Sequence, residues 1–214
     1  MISLQSLELL LAGSIFGLTA GISPGPLLAL LLTQTLKHNR KEGIKIALSP
    51  LITDLPIILI AVLLFNKLSE YDTVLGVIAL LGGLFVAYLG YESVTSKGLI
   101  PENQEYKAGS LKKGIITNFL NPHPYLFWAT IGAPYVFKAL DVNILTAILF
   151  LTSFYTLLVG SKVLIAIIVD RSKEIISSKT YLIIIKLLGI ILFGFSILFF
   201  YDGLKYLGVP GLTN

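Results

Sequence analysis

The chain reads as an all-α, polytopic membrane protein: six transmembrane helices arranged as two inverted three-helix repeats. Three observations predict this. Mean hydropathy is +0.87, hydrophobic residues make up 55% of the chain, and only 13% are charged, against roughly 25% in a soluble domain. Six apolar stretches each approach or exceed the about 20 residues that a bilayer-spanning helix needs. Two proline motifs, Ser23-Pro24-Gly25-Pro26 and Asn121-Pro122-His123-Pro124, interrupt the first and the fourth of these stretches.

The first stretch, near Leu7–Leu36, carries Gly13, Gly17 and Gly21, a small-xxx-small ladder that lets a neighbouring helix approach closely. No Lys or Arg precedes it and it is too long for a cleavable leader, so it is expected to stay as a spanning helix. The second, Ile44–Phe65, holds Asp54, with Thr53 before it, Pro56 after it and Ser49-Pro50 one turn earlier. The third, Thr73–Thr95, repeats glycine at 76, 83 and 90, and ends with Tyr88 and Tyr91 at interfacial-belt positions. The fourth is Gly114–Phe137. The fifth, Val142–Val169, contains Ser153, Tyr155, Thr156 and Lys162. The sixth, Tyr181–Leu207, contains Gly189, Gly194 and Lys186. The chain is expected to form a single transmembrane domain, with repeat 1 over about 1–95, a cytoplasmic loop at 96–113 and repeat 2 over about 114–214. Three helices per half is an odd number, so the second half enters the membrane from the opposite side.

Charge placement gives the orientation. Lys37, Arg40, Lys41 and Lys45 lie between the first two stretches. Lys97, Lys107, Lys112 and Lys113 lie between the third and fourth, and Arg171, Lys173 and Lys179 between the fifth and sixth. The opposite side has only Lys67, Lys138 and Lys205. The basic loops are therefore expected in the cytoplasm and both termini outside, in a cell membrane. The net charge of +4 is spent on topology and does not suggest nucleic-acid binding. Cysteine is absent, which excludes disulfides, thiol catalysis and Cys-based metal sites.

Proline removes a backbone donor and clashes with the preceding turn, so each motif should break its helix. Broken backbone inside a bilayer is tolerated where it is packed in protein or lines a cavity. Paired breaks in the two halves of a membrane protein point to a transport site. Ser23 and Asn121 are good N-caps followed by proline, which suits a helix restart at Pro24 and at Pro122. Free amides and the helix dipole at such a restart would suit an anion, such as a substrate carboxylate. The plainer alternative is a pair of proline kinks.

Asp54 falls about ten residues into its stretch, roughly 15 Å deep. A carboxylate there should face the bundle interior, either to bind an amine or carry a proton, or to partner a lysine. Lys162, roughly 12 Å deep, either pairs with Asp54 or snorkels to the interface. His123 could relay protons or bond freed backbone, and His38 in the basic loop is read as solvated. No metal or cofactor is expected, because no HExxH or Cys/His spacing exists.

These residues also resemble a known family. Gly21-Ile-Ser-Pro24-Gly25-Pro26 with the following basic loop and Gly43, Asp54, Gly83-Leu-Phe-Val-Ala-Tyr88-Leu-Gly90 and Gly114-Ile-Ile-Thr117-Asn118-Phe-Leu-Asn121-Pro122 are similar to the corresponding stretches of the LysE/RhtB amino-acid exporters. The chain departs at His123, where that family usually has lysine, and at Ser49-Pro50. The resemblance implies a secondary transporter that exports amino acids or similar small metabolites by alternating access. Its substrate-binding residues would be Ser23, Pro24, Gly25, Pro26, Asp54, Asn121, Pro122 and His123, with Asp54 and Lys162 as an ion pair or coupling pair. Its partners would be a small molecule, the lipid bilayer and, for some faces, a second copy. Three alternatives stand beside it: export of a cation or metal ion, using Asp54 and freed carbonyls as oxygen ligands; a membrane-embedded enzyme, for which no nucleophile–base pair is visible; and a channel or scaffold.

Overall fold

The computed structural model describes residues 4–64, 68–96, 109–173 and 178–210, and every element among them is helical. The first stretch divides into α1 (Leu4–Ile22) and α2 (Pro26–Lys37). The second divides into α3 (Arg40–Ala47) and α4 (Ser49–Leu64), joined at Leu48. The Ser49 hydroxyl donates to the Ile46 carbonyl at 2.7 Å, the acceptor that Pro50 has no amide to reach. Next come α5 (Leu68–Val94), α6 (Ser110–Phe119), α7 (Pro122–Phe127), a π turn (Trp128–Gly132) and α8 (Ala133–Val142). The last two helices are α9 (Ile144–Ser172) and α10 (Ser178–Tyr206). The polar segment 97–108, with Lys97 and Lys107, lies outside the described residues, as does Lys67.

Among the described residues, five segments are long and apolar enough to cross a bilayer: Leu4–Ile22, Arg40–Ile60, Asp72–Val94, Ile144–Ser172 and Lys179–Tyr206. The fourth expected stretch is not among them. Its break and its π turn leave helices of 10 residues at most.

The interior holds apolar clusters such as Trp128, Phe150, Phe154 and Phe199, and the outer faces are apolar as well. On α1, Leu4, Leu7, Leu11, Ile15, Leu18 and Ile22 are exposed, while Gly13, Gly17 and Gly21 are buried. Apolar side chains face outward because lipid is as apolar as leucine, and small residues face inward because they permit close backbone approach. A Cβ on Gly17 would collide with the Phe154 carbonyl of α9, and one on Gly21 with the Ser161 hydroxyl. Hydroxyls reinforce this seam, with Ser6 and Thr146 Oγ atoms 2.7 Å apart and Ser153 Oγ donating to the Leu10 carbonyl at 3.1 Å. The second glycine seam joins α5 to α10. A Cβ on Gly189 would lie 2.9 Å from the Gly90 carbonyl, and one on Gly203 would lie 3.1 Å from the Gly76 carbonyl.

The far end of α2 is fastened to four other elements. Gln34 Oε1 accepts from the Ser110 hydroxyl at 3.1 Å and the Leu36 carbonyl from the Tyr181 hydroxyl at 3.0 Å. Lys37 Nζ donates to the Glu92 carbonyl and Lys173 Nζ to the His38 carbonyl, each at 2.9 Å. The Glu92 carboxylate in turn accepts from Lys113 at 2.8 Å. His38, read from the sequence as solvated, is partly buried among these groups. That burial is the main cause of a lowered imidazole pKa.

Candidate functional site

At the first break α1 stops at Ile22 and α2 begins at Pro26, two residues later than the restart expected after Ser23. Gly25, not Ser23, is the N-cap, extended at φ −174° and ψ 175°. The cause is the second proline: the residue before a proline is pushed away from the helical region, so Gly25 before Pro26 stays extended. Glycine brings no side chain to cap the new helix, so the first-turn amides of Leu27 and Leu28 lack an intrahelical acceptor. On the other side of the gap, Pro24 and Pro26 cannot donate to the carbonyls of Ala20 and Ile22. Lys162 answers part of this deficit. Its Nζ donates to the Ala20 carbonyl at 3.1 Å and to the Gly21 carbonyl at 2.7 Å. A cation on the C-terminal carbonyls of a helix also complements its dipole.

The lysine is 3% exposed, so it does not snorkel. Nor does it lie within 4 Å of an Asp54 oxygen as an ion pair among the described residues. Its stem reaches across to α1 instead.

At the second break nearby side chains satisfy most of the backbone. Asn121 is the N-cap expected, and its side-chain oxygen accepts the His123 amide at 3.1 Å. The Asn121 amide donates to the Asn118 carbonyl at 3.2 Å. The Tyr125 hydroxyl donates to the Phe119 carbonyl at 2.9 Å. Pro122 and Pro124 have no amide to offer. The Leu120 carbonyl, left without the Pro124 amide, lies against α5 where Gly82 has no Cβ to keep it away. The expected free amides after Asn121 are therefore spoken for, and α7 is only six residues long. Bias against a helical residue before proline is overridden at His123, where the Asn121 cap stabilises the turn.

Asp54 on α4 is 5% exposed. Its carboxylate accepts from Asn118 Nδ2 at 3.2 Å and from the Tyr155 hydroxyl at 3.2 Å. Asn118 Nδ2 also donates to Thr53 Oγ1 at 2.6 Å, and that hydroxyl donates to the Ser49 carbonyl at 3.1 Å. The acid is thus pinned from α6 and from α9, and Trp128 also meets it as a side-chain hydrogen-bond donor, yet an ionised carboxylate has about four lone-pair sites and keeps accepting capacity to spare. Trp128, at the start of the π turn, stacks on Tyr155 with ring centres 6.3 Å apart. Gly132 makes that position possible, since a Cβ there would strike the indole. A π turn inside a helix often marks a functional site.

One cavity of about 440 Å³ collects these features. It is lined by Ser23, Pro24, Gly25 and Pro26 of the first break, by Leu27 and Leu28 of the open helix start, and by Asp54 and Lys162. From the second break come Asn121, His123 and Pro124. Of the eight binding residues expected from the sequence, only Pro122 does not line it; it is buried at the first position of α7. His123 is exposed at the edge of the cavity, with its ring 6.3 Å from that of Phe199. Asn118, Tyr155 and Trp128 join the site beyond the binding residues that the sequence points to; Asn118 sits in the Gly114–Pro122 stretch and Tyr155 in the fifth apolar stretch. Nothing in local sequence says that Trp128 turns toward Asp54. Among the described residues no group of three or more His, Cys, Asp or Glu side chains converges.

The sequence model of the LysE type translocators matches residues 18–203. The chain belongs to that family. The matched region of this LysE type translocator includes both breaks, Asp54 and Lys162, so the whole cavity falls inside it. No curated protein and no solved structure matches the chain. Family and apolar helices together make this a membrane transport protein.

Proposed function

We propose that this translocator exports amino acids or closely similar small zwitterions from the cytoplasm by alternating access around the cavity. The observation that carries the reading is the meeting of three groups at one place: the uncapped start of α2, the Lys162 ammonium and the Asp54 carboxylate. A zwitterion needs a positive and a negative receptor within a few ångströms. Lys162 has three donors and uses two on Ala20 and Gly21, so one remains for a carboxylate. The Leu27 and Leu28 amides, with the α2 dipole behind them, complete that receptor. Asp54 accepts the amine, or carries the coupling proton in its place.

The charge distribution supports basic loops in the cytoplasm and outward termini. The organisation proposed is a single transmembrane domain of two inverted repeats, about 1–95 and 114–214, with the α1–α9 and α5–α10 seams tying one repeat to the other. The test is exchange in proteoliposomes loaded with mixed labelled amino acids. Saturable exchange is expected, and the Asp54→Asn variant is expected to lose it. An unchanged rate and pH profile in that variant would remove Asp54 from the mechanism.

A further inference from the structure

The walls of the same cavity carry more information than its polar ends, and they narrow the substrate class on the reading just given. Among the described residues, Asp54 and Lys162 are the only carboxylate and the only ammonium lining it. Their charges cancel, and both are almost fully buried. His123 is at the exposed edge. A substrate of zero net charge meets one receptor for each of its own charges. A basic side chain would bring a second cation with no carboxylate left, and an acidic one a second anion with no ammonium left. Uncompensated charge in such a place is strongly disfavoured.

Beside the polar Ser23, Asn118 and Asn121, the lining is apolar and largely aromatic, with Phe127, Trp128, Phe154, Phe195, Leu28 and Leu158. Phe127 and Phe154 are stacked, with ring centres 5.4 Å apart and an interplanar angle of 12°, so they present a firm surface. The volume of about 440 Å³ is at the small end of ligand sites. It suits a free amino acid better than a peptide or nucleotide. We infer that the apolar lining supplied by the stacked Phe127–Phe154 pair and, from a separate packing cluster on α10, by Phe195 is the side-chain subsite of this transporter, and that it selects net-neutral amino acids with apolar side chains, such as leucine or methionine.

The test is counterflow by the full-length protein in liposomes, with labelled leucine, methionine, serine, lysine and glutamate compared at one concentration. Leucine and methionine are expected to exchange about 100-fold faster than lysine and glutamate, and clearly faster than serine. Any margin over the charged substrates above tenfold supports the inference. Lysine or glutamate within tenfold of leucine, or serine faster than leucine, overturns it and leaves the exporter reading in place. Exchange of none of the five by correctly inserted protein overturns both. In a second arm, Phe195→Ala enlarges the subsite and is expected to raise tryptophan exchange relative to leucine by about tenfold. An unchanged ratio in a folded variant overturns the assignment of that wall.

Discussion

The two proline breaks look equivalent in sequence and differ in chemistry. The first is unfinished by its own residues: Gly25 cannot cap α2, and the Ala20 and Gly21 carbonyls are met by a lysine from a helix more than a hundred residues away in the chain. The second is finished locally, with Asn121 on the His123 amide and Tyr125 on the Phe119 carbonyl. Unmet polar groups at the first break can therefore serve a ligand, whereas those at the second already serve the fold. A helix break inside a membrane is a binding site only to the degree that its backbone is left open. The cavity sits between the two, with the open break as its polar end and the closed break as a wall.

The largest expected effect comes from the acid that faces the open break. Asp54→Asn keeps the shape and the Asn118 and Tyr155 neighbours but removes the charge opposite Lys162. Losing one partner of a buried charged arrangement costs about 3 kcal/mol, or about 100-fold in exchange rate. Initial rates of counterflow measure it. Lys162→Met should come next. It uncaps two carbonyls at about 1–3 kcal/mol each, so thermal unfolding in detergent should fall and exchange should fall with it. Lys162→Arg keeps a cation with several donors and should recover most of the stability. If Lys162→Met were as stable as the parent, the lysine would not be what holds the first break.

Much of this arrangement was visible beforehand. Paired prolines, as at 24/26 and 122/124, break their helices while the single Pro56 stays inside α4, and a carboxylate in the middle of an apolar stretch must face inward, so Ser23–Pro26, Asn121–Pro124 and Asp54 could be found from sequence alone. The partners could not. Which donor meets the Ala20 and Gly21 carbonyls depends on α9 lying along α1, and the glycines that permit this say only that some helix comes close. The restart at Pro26 followed from the conflict between a serine cap and a second proline, and local rules favoured both answers. The π turn that brings Trp128 beside Tyr155 has no sequence signature beyond a glycine four residues later.

Changes at the closed break should be milder and should separate stability from transport. Asn121→Ala removes an N-cap, which costs about 1 kcal/mol. It should lower the unfolding temperature modestly and leave the substrate concentration for half-maximal exchange within about threefold of the parent. A loss of exchange equal to that of Asp54→Asn would mean that Asn121 touches substrate and that the two breaks share the binding task.

The smallest effect is expected at Tyr125→Phe. The ring is fully buried, at 0% exposure, and edge-on to Phe119 with centres 6.2 Å apart, so phenylalanine keeps the packing and loses only the hydroxyl. The Phe119 carbonyl then lacks a donor, because the His123 amide already belongs to Asn121. A net hydrogen bond is worth about 1 kcal/mol, so unfolding should shift slightly and exchange should stay at the parental rate. Combining it with Asn121→Ala sharpens the comparison, since both residues cap groups of one break and their effects should not simply add. A double variant that opened the second break and gained affinity for a free carboxylate would show that closure by these two side chains, rather than the short length of α7, is what keeps that break from binding.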